Sequence, residues 1–451
     1  VTSFETFANS DYKELKDIGF DEVIVDEAQT IKNASDSAVI SQKLKMAMAD
    51  ASRKLALTGT PVENSPTDIQ SILGWLEPEV FGDSDKFLQD FVETDFVDTF
   101  DASGKKVKRP VGISLKNTPV LRAKLDKLMF RVDKETLPDD PVFKETVQGV
   151  PNMIRVDELP AVLERYMKMP NGPEKQQLGD ISVFPNKTEF PQFDLEYSGK
   201  DLKLSSKLGD PLYVEDYPEY QRMIEMAKNH LRAEFQAQVK RGQHPNYKSI
   251  FVRLQQVMND PSLVADKFGP AFAVPVKNPK VDALINHVKT HFDGMGDFSS
   301  KKDGKILIFT YETKTVKFIE DQLCKAFPHL RGRILKFVGK SSDEEVPGRA
   351  AMEKKFNKDP DFQYPIMIAN AAARSGVNLP AASFVINYDI GWNPKDLAQR
   401  IDRAHRVRSL EKLAEDQKMG LPPRNVFSTT LAVISRNGLV NSTIEARKLA
   451  T

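Results

Sequence analysis

The 451-residue sequence predicts an α/β fold with parallel sheets, and three observations carry that expectation. Short apolar runs alternate with helical patterns near the start and again from residue 305 onward. Several of those runs stop at polar residues, as buried parallel strands do where their C-terminal ends meet a ligand. No internal repeat at a fixed period competes with this reading.

The first lobe shows two strand signals. Glu22–Val25 (EVIV) is an apolar run ending at Asp26-Glu27, and Lys54–Leu57 ends at Thr58-Gly59-Thr60-Pro61. Both read as buried parallel strands. Residues 66–90 carry a helical pattern, with Ile69, Ile72, Leu73 and Leu76 on one face. Residues 138–218 hold ten prolines, about twice the density of the whole chain, and read as an extended excursion with one short helix near Ala161–Lys168. Helical signal resumes over 217–240 and 250–257. From Lys305 the alternation is complete: strands at 305–310, 333–338, 365–370, 383–388 and 426–433, with helices near 314–326, 349–356, 395–406 and 441–450. The resulting division is a first lobe over 1–137, a proline-rich insertion over 138–218, a helical end of the first lobe over 219–275, and a second lobe over 276–451.

Composition removes several classes. Apolar residues are 40% and charged residues 28%, an ordinary globular balance. Sixty-four basic residues cancel sixty-four acidic ones, which excludes a polycation but not a local basic track. Cys324 alone supports neither a disulfide framework nor a cysteine-built zinc site, so a reducing compartment, cytoplasmic or nucleoid-associated, is expected. No run of 18 apolar residues exists, so no membrane partner is expected. The opening Val1 leads us to expect a gene that starts upstream.

The chemistry begins at Asp26-Glu27. An aspartate at a strand end can hold magnesium, and the next carboxylate can orient a water for attack on a γ-phosphate. Residues 21–33 read DEVIVDEAQTIKN and residues 55–64 read LALTGTPVEN. Together they resemble motifs two and three of the Swi/Snf-type helicase-like ATPases, a branch of the superfamily-two helicases.

The second half carries further motifs in the same order. Residues 369–379 (ANAAARSGVNL) are similar to motif five, with Gly376, Asn378 and Leu379 matching and Arg374 where the family usually has glycine. Asn387-Tyr388-Asp389 and Trp392-Asn393-Pro394 resemble the segment that follows. Gln399-Arg400-Ile401-Asp402-Arg403-Ala404-His405-Arg406 matches motif six, although Arg408-Ser409 replaces the usual glycine-glutamine. Residues 253–264 (RLQQVMNDPSLV), Lys280, KILIFT as motif four, and Thr443-Ile444-Glu445 extend the resemblance, and the proline-rich excursion stays outside it. Arg403 and Arg406 stand three apart, so one helical face presents both guanidinium forks.

The resemblance implies two RecA-like lobes and ATP-driven translocation on double-stranded DNA. Asp26 would hold magnesium, Glu27 would position water, and Arg403 and Arg406 would act as arginine fingers. Gln29, Gly376, Asn378 and Gln399 would bind the nucleotide. Thr58, Thr60, Lys280, Thr310, Asn370, Arg374 and Trp392 would serve the nucleic-acid path. Lys280 reads equally as a phosphate contact or a helix-start charge, and Trp392 as a stacking platform or a core anchor. RNA polymerase or another DNA-bound protein is the implied target.

No GxxxxGK[ST] phosphate loop occurs in these residues. The first lobe is therefore expected to be truncated, by a split gene, a maturation cleavage or trimming. A separate segment or chain supplying the loop is the expected partner, and little turnover is expected without it. The alternative is a non-catalytic DNA- or protein-binding subunit, or a structural component that keeps the helicase shape. Two weaker signals are His287 and His291, four apart and expected as an ordinary surface pair, and the basic cluster Lys105-Lys106-Lys108-Arg109, read as a phosphate contact or a solvated loop.

Overall fold

The structure, a computed structural model, describes residues 2–10, 12–31, 44, 48, 51–59, 61–62, 68–100, 106–130, 146–189, 195–198, 201–204, 212–241, 247–292, 304–338, 349–359, 361–370, 377–391, 394–418 and 425–436. The chain divides into two compact units, Val1–Val132 and Asp133–Thr451.

In the first unit, helices α1 (Phe4–Asn9) and α2 (Tyr12–Ile18) precede strands β1 (Glu22–Val25) and β2 (Arg53–Ala56). The two strands pair in parallel, Val25 opposite Ala56. One face packs inward through Val25, Ala28 and Ile31, against Ile72 and Trp75 of α3 (Asp68–Leu76). The other face is bare. Ile24 is 57% exposed, Leu55 48% and Leu57 43%. The expected pair of buried strands is therefore covered on one side only, because among the described residues no second layer packs on the outer face. The helical stretch expected over 66–90 is broken at Pro78 and Gly82, and α4 (Ser84–Phe91) restarts behind an Asp83 cap that accepts from the Lys86 N–H. Strands β3 (Val92–Phe100) and β4 (Lys106–Leu115) form an antiparallel ribbon whose register sets Lys108 opposite Asp98, and α5 (Thr118–Leu125) closes the unit.

In the second unit a short antiparallel hairpin, Thr146–Val147 with Val150–Pro151, precedes β5 (Met153–Arg155), α6 (Leu159–Lys168), α7 (Pro173–Gly179), β6 (Ser182–Phe184) and β7 (Lys187–Glu189). Next come β8 (Leu212–Tyr213), α8 (Pro218–Lys240), α9 (Tyr247–Asn259) and α10 (Pro279–His291). The alternating portion follows: β9 (Lys305–Phe309), α11 (Thr313–Ala326), β10 (Ile334–Phe337), α12 (Arg349–Asn357), β11 (Ile366–Ala369), β12 (Ala382–Asn387) and α13 (Pro394–Ile401). It ends with β13 (Arg408–Ser409), α14 (Leu410–Lys418), β14 (Val426–Thr430) and β15 (Val433–Ile434).

Six strands form one parallel sheet in the order β10-β11-β9-β12-β14-β7. Its side chains alternate between two cores. Ile306, Ile308, Ile366, Ile368 and Ile386 face Leu284 of α10 and Val316, Ile319 and Leu323 of α11. Leu307, Phe309, Met367 and Val385 face Met352 and Phe356 of α12 and Ile401 of α13. Helices thus cover both faces, as the continuous apolar strands require. The α/β expectation with parallel sheets holds.

Two sequence expectations need correction. The proline-rich stretch is not a mostly extended excursion. Its helices α6 and α7 share a core with α14 through Leu159, Leu163, Tyr166, Leu178, Leu410 and Leu413. Strand β6 pairs with β13, and β7 adds an edge strand to the main sheet. The second correction concerns 219–275, expected as the end of the first lobe. It belongs to the second unit: β8 pairs with β15, Tyr220 and Met258 pack with Val433, and the Asn259 side chain bonds Asp389.

Candidate functional site

In the first unit, the ladder between β1 and β2 continues past the strands, with Leu57 N–H donating to Val25 O at 2.8 Å and Ala28 N–H to Leu57 O at 2.9 Å. This brings the DEAQ turn alongside Thr58. Asp26 is exposed, and its Oδ1 accepts the Glu27 N–H at 2.9 Å. Glu27 sits at φ +50°, a left-handed conformation that is uncommon outside glycine. Gln29 Nε2 donates to Glu27 Oε2 at 2.5 Å, and Thr58 Oγ1 donates to Gln29 Oε1 at 2.5 Å. A relay therefore runs from the segment after β2 to the carboxylate after β1.

In the second unit, the C-terminal ends of β9 and β12 meet in a buried polar hub. Asp389 is fully buried. Its Oδ2 accepts from Asn259 Nδ2 at 2.9 Å and Thr310 Oγ1 at 2.7 Å, and the Tyr311 N–H also donates at 3.0 Å. Arg400 Nη1 donates to the Asp389 carbonyl at 3.1 Å and lies 3.7 Å from its Oδ1. Lys280 is fully buried beside this hub, with Nζ donating to Asn259 Oδ1 at 3.1 Å and Tyr388 O at 2.9 Å.

Motif six begins in the last turn of α13. The helix stops at Ile401, so Arg403 and Arg406 lie on the turns beyond it and do not share a helical face. Arg403 is 8% exposed, and its guanidinium folds back onto carbonyls: Nε to Gln399 O at 3.2 Å and Nη1 to Val377 O at 3.4 Å. Arg406 is half-buried and lines a cavity with Arg408 and Asp416. His405 Nε2 lies 2.8 Å from Pro185 O, and Leu410 N–H donates to Ile181 O at 2.9 Å, tying motif six to the 150–189 segment.

Residues 1–140 match the SNF2-related domain, and residues 279–408 match the helicase conserved C-terminal domain. The chain thus pairs an SNF2-related domain with a helicase conserved C-terminal domain. It is 26% identical to the lymphoid-specific helicase of Homo sapiens over 416 residues, covering 90% of this chain and 46% of that protein. It is 23% identical to a probable chromatin-remodeling complex ATPase chain of Oryza sativa subsp. japonica over 410 residues, covering 90% of this chain and 28% of that one. The chain therefore spans less than half the length of these curated relatives. A solved Sulfolobus solfataricus SWI2/SNF2 ATPase core in complex with dsDNA aligns at 19% identity with a TM-score of 0.31, over 96% of this chain and 67% of that chain.

Of the residues expected to serve the site, Asp26, Glu27, Gln29 and Thr58 come together. Lys280 and Thr310 do not reach a surface where nucleic acid could sit. Both are fully buried in the Asp389 hub, where they satisfy polar groups that burial would otherwise leave unpaired. Asn370 is buried and donates to Thr313 Oγ1 at 3.0 Å. Gln399 is half-buried, and its carbonyl accepts from Arg403. Asn378 is exposed and braced on α12, its N–H donating to Glu353 Oε1 at 3.2 Å and its carbonyl accepting from Asn357 at 2.7 Å. Thr60, Arg374, Gly376 and Trp392 lie outside the described residues, as do Lys105 and the helix expected at 441–450.

The histidine pair is also not a plain surface pair. His287 packs edge-on to Phe384 at 5.8 Å, and His291 stacks on the same ring at 5.3 Å. Burial pushes the His287 pKa down. Sequence reasoning missed Asn259, Asp389 and Arg400 as a unit. The only signal for it was a run of side-chain amides and acids beside strand ends.

Proposed function

We propose that this chain is the motor portion of an ATP-dependent translocase on double-stranded DNA that remodels protein–DNA complexes. The observation that carries this reading is the Thr58–Gln29–Glu27 relay, which holds a carboxylate in a strained backbone conformation at a strand end. Strain of this kind costs roughly 1–3 kcal/mol and clusters at functional positions.

Asp26 offers an exposed hard oxygen donor, which fits magnesium otherwise held by phosphate oxygens and water. Among the described residues no group of three or more His, Cys, Asp or Glu is placed to hold a metal. When bound, magnesium would neutralise charge on the β- and γ-phosphate oxygens. Glu27 orients the attacking water and takes up its proton. Gln29 fixes one Glu27 oxygen and leaves the other for that water. Thr58 fixes Gln29, so a shift of the segment after β2 changes how Glu27 is held. Arg406 offers a guanidinium charge of the kind that suits a phosphate oxygen. Arg403 braces the turn that carries Arg406 instead of acting as a second finger.

The phosphate-cradling loop comes from a segment outside these 451 residues. The bare β1–β2 face fits the addition of such a segment, since parallel strands are ordinarily covered on both faces. The test supplies a loop-bearing segment, fused or in trans, and measures phosphate release with and without duplex DNA. DNA-stimulated turnover is expected from the completed protein, with little from the 451-residue chain alone. Glu27→Gln should lower turnover by roughly 10²–10⁴ while nucleotide still binds. Turnover undiminished by Glu27→Gln would sink the reading.

A further inference from the structure

One aromatic side chain pins α13, the helix in whose last turn motif six begins. Tyr311 is the second residue past β9 and is half-buried. Its N–H donates to the Asp389 carboxylate at 3.0 Å, which fixes its backbone to the hub at the strand ends. Its hydroxyl reaches the first turn of α13 and donates to Asp396 Oδ2 at 2.5 Å. One turn further along, the Arg400 guanidinium lies over the Tyr311 ring, 5.0 Å from its centroid. Asp396 and Arg400 stand four apart, so one face of α13 meets both the hydroxyl and the ring. Both of these charged side chains are buried.

The turn between β12 and α13 closes over the same ring. A Cβ built on Gly391 would lie 2.7 Å from Tyr311 Cε2 and 3.0 Å from the hydroxyl oxygen. The ring has little room to retreat, because Asp396 holds its far end and Arg400 covers its face. Glycine at 391 is therefore the counterpart of tyrosine at 311, since a close approach of this kind leaves no place for a side chain.

We infer that Tyr311 is a positioning residue for motif six. Its hydroxyl and ring set how α13 sits on the strand ends, and α13 sets where the turn carrying Arg403 and Arg406 begins. A hydrogen bond to a carboxylate is of the stronger kind, and burial strengthens it further. Arg400 supplies a second tie, from α13 to the Asp389 carbonyl at 3.1 Å. Loss of the hydroxyl therefore leaves the helix docked but free to tilt about the Arg400 contact. The placement of α13 does not depend on hydrolysis, and its consequence for turnover rests on the ATPase reading above.

The test is hydrogen exchange on the intact 451-residue chain, wild type against Tyr311→Phe, which keeps the ring and removes one hydroxyl. Amides over 396–406 should exchange roughly tenfold or more faster, as loss of one hydrogen bond to a charged group implies. Amides of β9 and β12 should hold still. A role confined to stability gives a different pattern, because global unfolding speeds exchange across the whole second unit. Exchange over 396–406 that is unchanged, or that rises in step with β9 and β12, overturns the proposal. Gly391→Ala gives a second readout that deletes no hydrogen bond. It should speed exchange over 396–406 in the wild-type background and do so less beside Tyr311→Leu, where no ring edge opposes the new methyl. Equal effects in the two backgrounds also overturn the proposal. In the loop-completed protein, Tyr311→Phe should lower kcat severalfold with the KM for ATP unchanged, because a displaced motif-six arginine is missed in the transition state more than in the bound nucleotide. A raised KM at unchanged kcat overturns the link to turnover. Absence of any turnover from the completed wild type defeats the ATPase reading and leaves the exchange result standing.

Discussion

Asp26 and Asp389 stand one and two residues past the end of a parallel strand, and their surroundings are opposite. Asp26 follows β1 in the two-stranded sheet and is exposed. Asp389 follows β12 in the six-stranded sheet and is fully buried among Asn259, Thr310, Tyr311 and Arg400. The same sequence signal therefore has two outcomes. Where strands flank the position and helices cover both faces, the carboxylate joins the core and must be satisfied by neighbours. Where, among the described residues, only two strands pair and one face is bare, it stays available for chemistry. An acidic strand end becomes a candidate for catalysis only once the number of flanking strands is known.

The largest expected effect tests that contrast directly. Asp389→Ala leaves Arg400, Asn259 and Thr310 facing an unmatched space, and removing one partner of a buried charged pair costs about 3–5 kcal/mol. Denaturant unfolding should show a loss of that size in the second unit. Asp26→Ala should leave melting unchanged. The two tryptophans report separately, since Trp75 lies in the first unit and Trp392 in the second. Equal losses for the two variants would erase the distinction.

A matched pair in the middle of the strands comes next. Ile308 of β9 is fully buried, and Ile308→Ala should cost roughly 2–5 kcal/mol from transfer and cavity terms. Ile24 of β1 is 57% exposed, so Ile24→Ala should fall within about 0.5 kcal/mol. In the presence of a loop-bearing segment that covers β1, the Ile24 cost should rise toward the Ile308 value. If it stays small, that segment does not pack on this face.

The strands of the second unit were legible because each is a continuous apolar run, and such runs have few alternatives at that length. The 150–189 segment was not legible, because proline density read as extended chain. Here the prolines open helices: α6, α7 and α8 each carry one in the first turn, where the missing N–H is harmless. Arg403 misled for another reason. No glycine or proline marks the stop at Ile401. The helix ends because Leu379 N–H takes the Arg403 carbonyl and the guanidinium turns back to Val377. Lys280 was ambiguous in sequence, since its burial is decided by Asn259 and Tyr388, residues far from it along the chain.

Acid should separate the units further. Asp359 is buried, which alone would raise its pKa. The Lys305 ammonium at 2.7 Å and the N–H groups of Tyr364 and Gln363 more than offset this and hold it below the ordinary carboxylate value of 3.8. A lowered folded pKa means the contribution is fully present above that ordinary value and is lost as pH falls through the folded one. The second unit should therefore lose stability below about pH 4. Asp359→Asn should be less stable at neutral pH and show a shallower acid limb. An acid limb unchanged by Asp359→Asn would assign the loss to other carboxylates.

The smallest effect lies near neutrality and belongs to one unit alone. Val1–Val132 contains no histidine, while the second unit holds all six. Burial against Phe384 lowers the His287 pKa from its ordinary 6.5, so the folded state keeps this ring neutral where the unfolded chain has begun to protonate it. More protons on the unfolded chain means stability rises with pH across that interval. Between pH 5.5 and 7.5 the Trp392 transition should move to higher denaturant as pH rises, and the Trp75 transition should hold still. His287→Phe keeps an aromatic ring beside Phe384 and removes the titration, so it should flatten part of the Trp392 slope without lowering stability at pH 7.5. A slope untouched by His287→Phe would place the proton uptake on another histidine, and a Trp75 slope of equal size would show that the two units do not respond independently.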